Sequence, residues 1–492
     1  MMPQLTSPTA LLAAGSGPDR AGPDRAGQAT SARATGSGLL LALFFLVVLL
    51  PIHLEMGGQR IGPVRIFLLL TFIPFGVRLF AGKAGRFTAV DGCLLGFVSL
   101  MVLTFLYHHG MERFPYAMVQ AVEVYGGYLA GRMLVRSLAD YQRFIRYFLV
   151  VLLVLLPFAV DELLHSRMLI SEFFSGTFDV VNNNQAFRFG LARVQVVFPH
   201  SILYGLFCSL ALASVFYLYQ HRLARLLPYL ALVIAMTVMA LSSAPIISVA
   251  LQLAMILWDK LTRGAWKLLA GLFALVWLLL DLVTNRGAVV IFVENMTLDP
   301  ATGWWRIHIW TWGTRTVLNY PLLGIGLNDW VRPFWLSSSV DNFWLLMAMR
   351  HGLPAVILLL LAFGLHCRFV MAAKDLAPVA RMARTGYAVT LVGLIFTLVT
   401  VHVWDSMAVF TMFFLGIGAV FYTAAPEAAV LPESGPESGP ISRSLPHSRF
   451  PARPDRSDQP RSGQPQPDRP RSGQPQPQPQ PDRPQPERVP GK

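Results

Sequence analysis

The sequence predicts an all-α polytopic membrane protein of about twelve transmembrane helices, with a large outer loop between the ninth and tenth and a polar tail at each end. Three observations predict it. Of the 492 residues, 54% are hydrophobic and only 14% charged, a balance foreign to soluble globular chains. The apolar residues fall into runs near the roughly 20 residues that a helix needs to cross the hydrocarbon. The lysines and arginines gather at alternate ends of those runs.

Residues 1–37 form the first tail, rich in Gly, Ala, Pro, Asp and Arg, with GPDRAG at Gly17 repeated at Gly22. They lack the apolar core of a signal peptide, so Leu39 onward is expected to remain as a helix in the membrane. The membrane domain, 38–424, carries apolar runs at roughly 38–56, 64–80, 88–107, 115–134, 144–163, 199–219, 227–243, 245–258, 266–284, 341–365, 386–403 and 406–424. The eighth is short and follows Ser242-Ser243-Ala244-Pro245, so the seventh and eighth read either as two spans or as one broken unit. From 425 to 492 the chain is low in complexity, with RSGQPQP at Arg461 repeated at Arg471. Such a segment buries too little apolar surface to offset chain entropy and is expected to be a disordered, partly polyproline-like extension or a partner-binding segment.

With the N-terminus in the cytoplasm, the inner loops hold Arg78, Lys83 and Arg86; Arg132, Arg136, Arg143 and Arg146; Arg222 and Arg225; Lys260, Arg263 and Lys267; and Arg368, Lys374, Arg381 and Arg384. The short outer connections offer only Arg60, Arg65 and Arg113. This bias sets both tails inside and leaves the loops 164–198 and 285–340 outside. The formal charge of +13 therefore reflects membrane orientation, because the basic residues form no patch with interleaved aromatics, and nucleic acid is not an expected partner. Cys93, Cys208 and Cys367 lie in or beside apolar runs without metal-ligand spacing and read as small packing residues.

Long ordered loops are usually functional. The first outer loop holds Phe187-Arg188-Phe189-Gly190 and Arg193, and Phe198-Pro199-His200 opens the sixth run. Proline is cheap in a helix's first turn, and His200 reads as a polar anchor there or as a substrate contact. The second loop contains TGWWRIHIWTWGTRTVLNYPLLGIGLNDW, from Thr302 to Trp330. Its proline-free part suits a helix around Arg306 to Leu318, ended by Tyr320-Pro321 because the residue before proline avoids helical angles. On that helix Arg306 and Trp310 share a face, whereas His308 and Arg315 lie about half a turn away. The two arginines cannot both address one ligand, and one of them is expected to serve structure. Trp304, Trp305, Trp310 and Trp312 suit the membrane–water boundary, where a ring and an N–H can both be satisfied. Gly324 and Gly326 would allow close backbone approach beside a phosphate or sugar.

Arg306 with Trp310 four residues on, then Pro321-Leu322-Leu323-Gly324-Ile325-Gly326, then Asp341-Asn342-Phe343-Trp344 and Arg350-His351-Gly352-Leu353-Pro354, resembles the bacterial O-antigen ligase and O-antigen polymerase superfamily. Arg193 to His200 is similar to that family's approach to the sixth helix, and the resemblance covers about 38–424. The histidine that ligases carry before Asn is Asp341 here, and the family's Ser-Arg-Gly near the eighth helix is Ser242-Ser243-Ala244-Pro245. Both departures favour a polymerase-like or divergent member over a standard ligase.

The resemblance implies transfer or polymerisation of a glycan from an undecaprenyl-diphosphate carrier at the periplasmic face of the bacterial inner membrane, without metal or cofactor. The acceptor would be a second glycan chain or lipid A core; membrane lipid and polysaccharide-assembly proteins would be further partners. Arg306, Arg193 or Arg315 would hold the leaving diphosphate, and Asp341 would act on the acceptor, as base or by positioning the sugar, with His200 or His351 as the base failing that. Arg315, His200, Trp310, Gly324, Gly326, Asn342 and His351 would contact substrate. The alternatives are a secondary transporter or lipid-glycan flippase, a metal-dependent lipid-sugar transferase using the loop His53 to Gly58, and a non-catalytic subunit of an export assembly. A transporter is expected to repeat its halves and bind near the midplane; 38–219 does not recur in 227–424, the polar residues gather outside, and Glu123 and Asp281 are the main exceptions within apolar runs.

Overall fold

A computed structural model of the chain describes residues 37–56, 59–83, 85–180, 185–283, 300–373 and 376–423. The expectations for the two tails fall outside those residues. What is described is mostly helical: nine helices are long and apolar enough to cross a membrane, and two shorter apolar ones accompany them. The architecture is that of a polytopic membrane protein.

In chain order, α1 (Ser37–Leu49) leads into strands β1 (Ile52–Met56) and β2 (Gln59–Ile61). Then come α2 (Pro63–Phe80), α3 (Ala89–His109), α4 (Phe114–Ala121), a π turn (Val122–Gly126) and α5 (Gly127–Leu134). Next are α6 (Leu138–His165), α7 (Leu169–Ser175) and the two-residue strands β3 (Asp179–Val180), β4 (Phe187–Arg188) and β5 (Leu191–Ala192). The helices α8 (Ser201–Ser209), α9 (Leu212–Tyr219), α10 (Leu223–Met239), α11 (Ser243–Thr262) and α12 (Trp266–Val283) follow. Last are α13 (Pro300–Asn319), α14 (Phe343–Ala372), α15 (Pro378–Leu398), α16 (Asp405–Ile417) and α17 (Val420–Thr423).

Two sequence expectations need revision. The first helix ends at Leu49, not near 56: Pro51 follows, and Ile52 to Met56 instead form the centre of a three-stranded antiparallel patch, β2-β1-β3. The seventh and eighth runs are separate helices, and the eighth is a full 20 residues rather than short. The helix expected from Arg306 to Leu318 exists and runs from Pro300 to Asn319.

Lipid tails are as apolar as leucine, so close packing rather than water exclusion must hold such a bundle together. Phe44 stacks on Phe413 with centroids 3.9 Å apart, and Phe207 bridges Phe148 and Phe410 at 4.7 and 4.8 Å. Beside this aromatic centre α5 meets α16 almost backbone to backbone. A side chain at Gly127 or Gly131 would strike the carbonyls of Val409 or Phe413, and one at Gly416 that of Tyr128. Gly127-x-x-x-Gly131 is thus the small-residue stripe that close helix crossings need.

Charges separate by end. On α2, Arg65 stands at the start and Arg78 at the finish. Near Arg78, Arg143 meets Asp140 at 3.0 Å and Arg136 donates to the Lys83 carbonyl. The buried Arg132 donates to both Asp91 oxygens at 2.7 Å and to the Arg86 carbonyl. At the other end lie the β patch, the hairpin β4–β5, α13 and the loop between α13 and α14.

Candidate functional site

The Pro-Leu-Leu-Gly-Ile-Gly segment answers a backbone problem. Within α14, Gly352 leaves helical geometry with φ 79° and ψ 174°, and Pro354 follows. Such a break frees peptide groups beside the buried Met349, His351 and Gly352, where unpaired ones cost about 1–3 kcal/mol each. The loop after α13 takes them up. Ile325 donates to the Met349 carbonyl at 2.8 Å, Gly326 donates to that of Arg350 at 3.0 Å, and the Leu353 N–H donates to Pro321 at 2.7 Å. Gly324 and Gly326 both adopt positive φ, and a side chain on either would collide with the α14 backbone or with His109. Histidines on α3 complete the clamp: His109 accepts the Leu327 N–H at 2.8 Å, and His108 meets the Leu323 carbonyl at 3.3 Å. The outcome is a fixed kink that presents Arg350 and His351.

Above the kink, cations converge. The hairpin β4–β5 turns through Phe189 and Gly190, both left-handed as a two-residue primed turn requires. Arg188 donates to the Leu241 carbonyl at 3.0 Å. Arg193, just past β5, buries its Nε with no hydrogen-bond partner among the described residues. The same holds for Nε of Arg306 on α13. Burial, with Arg188 adding to it, presses the Arg193 guanidinium down to about 10. Burial also lowers Arg306, while Asp341 opposes the shift and Arg188 reinforces it. His200 is held below its ordinary value by burial and by Arg193, against Asp341. Arg188, Arg193, His200, Arg306 and Asp341 therefore share one electrostatic neighbourhood. Burying a guanidinium nitrogen without a partner is costly, as for Nε of Arg193 and of Arg306 among the described residues, and an anionic ligand would relieve that cost.

A cavity of about 430 Å³ adjoins this mouth. Pro199 and Phe343 line its near side, Arg350 and His351 its α14 wall, and Arg65 with Glu123 the far wall. Glu123 accepts from Arg65 at 2.5 Å and from Gln120 at 3.0 Å. His53 stands 3.6 Å from Asp405. Burial, then Arg350, brings His402 down to about 3, so it is neutral at physiological pH.

Of the residues expected to form a site, Arg193, His200, Arg306 and Asp341 come together, and His351 lies in the adjoining cavity with Nδ1 buried and unpartnered among the described residues. His200 also caps α8, its Nδ1 accepting the Ile202 N–H at 3.1 Å. Asn342 caps α14 by accepting from Leu345, a structural duty. Arg315 and Trp310 stay outside the cluster: Arg315 is exposed over the Trp312 ring at 4.6 Å, and Trp310 is exposed too. Gly324 and Gly326 face protein backbone and a histidine where a ligand was expected. Sequence reasoning gave no role to His402, Trp404 or Asp405, although a polar His-Val-Trp-Asp break between the last two apolar runs was there to be read. No protein-family model matches the chain, and no curated protein matches it; the chemistry has to be read from the residues themselves.

Proposed function

We propose that this protein transfers or polymerises a glycan carried on a polyprenyl diphosphate, the polymerase being favoured over the ligase, at the periplasmic face of a bacterial inner membrane. In this reading the helices make twelve crossings, with α4–α5 and α8–α9 counted as single broken spans and both tails in the cytoplasm. The observation that carries it is the pair Arg193 and Arg306, each with a buried guanidinium nitrogen lacking a partner among the described residues. A departing diphosphate develops the negative charge that such groups hold by paired N–H contacts, in a site sheltered from water. These guanidinium groups supply charge stabilisation of the kind a divalent cation supplies in other phosphoryl-leaving sites.

A lipid carrier needs an apolar berth beside the polar one. The β1 strand separates two such spaces: Ile52 and Leu54 face an apolar groove of about 310 Å³ with Leu43, Val47, Ile66 and Leu70, whereas His53 faces the polar cavity.

The test is Arg306→Ala in cells that make a lipid-linked glycan. Polymer extension is expected to stop while the protein still accumulates in the membrane; normal chain length would reject the proposal. Single repeats persisting without long polymer identify a polymerase, and long carrier-bound polymer left unattached identifies a ligase. Reporter fusions that put α13 in the cytosol would sink the assignment of sides.

A further inference from the structure

Resting on that reading, we infer that Asp405, backed by His53, takes the proton from the acceptor hydroxyl, and that the cavity around it seats the acceptor sugar. Asp405 opens α16 with φ 55°, a left-handed conformation that L-residues with a side chain seldom adopt. Strain of this kind persists where the surroundings impose it, and it clusters at working sites. The carboxylate lines the cavity, where Oδ2 stands 3.6 Å from His53 Nε2, with the side chains 20% and 12% exposed. The charged and titratable groups lining the cavity around it are His53 from β1, Arg65 from α2, Tyr116 from α4, Glu123 from the π turn, Arg350 and His351 from α14, and His402 from the loop before α16. The other cavity carboxylate, Glu123, is already engaged by Arg65 and Gln120.

Position decides between Asp405 and Asp341. In a direct displacement the nucleophile and the leaving group lie on opposite faces of the anomeric carbon, so the base and the leaving-group cations must be separated. Asp341 acts electrostatically on Arg306 and His200, among those cations. Asp405 lines the adjoining cavity, whose lining does not include Arg193, Arg306 or Asp341; its neighbour Trp404 meets the His200 ring edge-on at 6.1 Å and stacks with His402 at 5.9 Å. A cavity of about 430 Å³ with the flat rings of Trp404 and Phe343 on its wall suits a pyranose. In the reaction the acceptor O–H bond breaks and its proton goes to Asp405. The acceptor oxygen bonds to the anomeric carbon, and the carbon–oxygen bond to the diphosphate breaks. Its electron pair leaves on the diphosphate oxygen beside Arg193 and Arg306. Asp405 then returns its proton to water by way of His53.

The experiment compares Asp405→Asn, Asp405→Glu, His53→Gln and Arg306→Ala in membranes containing the lipid-linked glycan, measuring transfer and, separately, binding of undecaprenyl diphosphate. Loss of a general base lowers transfer by about a hundredfold or more. Asp405→Asn is therefore expected to lose transfer on that scale with diphosphate binding intact, Asp405→Glu to recover part of it, and Arg306→Ala to lose both. Transfer within about threefold of the parent in Asp405→Asn, with Arg306→Ala inactive, overturns this inference and leaves the broader reading standing. Transfer retained in Arg306→Ala removes both. Should Asp405→Asn fail to accumulate, the acidic limb of the transfer rate in His53→Gln decides: a displaced limb supports the pair, and an unmoved limb overturns it.

Discussion

The Glu162 carboxylate, buried at the end of α6, accepts the backbone N–H of Val196 at 2.8 Å and that of Gln195 at 3.0 Å. Val196 has φ 53°, a conformation that a β-branched residue adopts only under constraint. With Val194 donating to the Met239 carbonyl at 3.1 Å, this tethers the segment that carries Arg193. A typical hydrogen bond contributes about 0.5–1.5 kcal/mol net, and a buried donor left unmet costs about 1–3 kcal/mol.

Glu162→Ala should therefore release the Arg193 segment without touching any cation. Weaker binding of undecaprenyl diphosphate, faster protease cleavage between 185 and 198, and a smaller defect in Glu162→Gln are the expected results. Unchanged cleavage and binding in Glu162→Ala would show that the tether does not position Arg193.

The kink in α14 yields a second prediction. A methyl at Gly352 meets the Leu322 carbonyl and imposes positive φ on an L-residue, which costs about 1–2 kcal/mol before any clash is counted. Gly352→Ala should lower thermal stability in detergent and reduce the amount of protein in the membrane. Gly364→Ala, at a helical position with open space around it, should do neither.

These devices differ in how far the sequence reveals them. Apolar runs and basic ends expose spans because hydrocarbon thickness and membrane charge act on every residue of a run. The stop at Tyr320-Pro321 was equally visible because proline acts on its own neighbour. The hairpin carrying Arg188 was not: strands of two residues contain no periodicity, and Phe189-Gly190 is a weak turn signature. β1 passed for the end of a helix because Ile52, Leu54 and Met56 extend the apolar composition of α1 past Pro51. Gly324 and Gly326 suit a ligand from sequence alone because glycine shows that something approaches closely without showing what; here it is the broken turn of α14, with His109 beside Gly326. Arg193 and Arg306 could be selected as candidates from their residue type and loop, whereas the pairing of His53 with Asp405 depends on a tertiary contact between distant segments.

At the end remote from the cavity, Asp91 and Arg132 form a buried pair, joined by the Tyr128 hydroxyl at 2.9 Å from Asp91. Removing one partner strands the other charge, which typically costs about 3–5 kcal/mol. Asp91→Asn should sharply reduce the protein in the membrane, with transfer per folded molecule little changed. Adding Arg132→Leu to Asp91→Asn should restore part of the stability. A thermal double-mutant cycle with purely additive losses would mean that the pair is not coupled.

Arg193 carries the pH prediction. Burial and the neighbouring Arg188 bring its guanidinium down to about 10, so it is charged at neutral pH and loses its charge as pH rises through that value. Holding an anion requires the charged form. Affinity for undecaprenyl diphosphate is thus expected to be level from neutral pH to about 9 and to fall above it, because one pH unit below a pKa the group is still about nine-tenths protonated. Arg193→Lys makes the argument specific: an ammonium starts near 10.4 in water and the same burial lowers it further. Its alkaline fall should come at lower pH than in the parent, with affinity at pH 7 reduced because a point charge replaces a two-pronged donor. The measurement is binding of undecaprenyl diphosphate by the purified protein at several pH values. Coincident alkaline limbs in the parent and in Arg193→Lys would assign the titration to another group and take Arg193 out of the anion site.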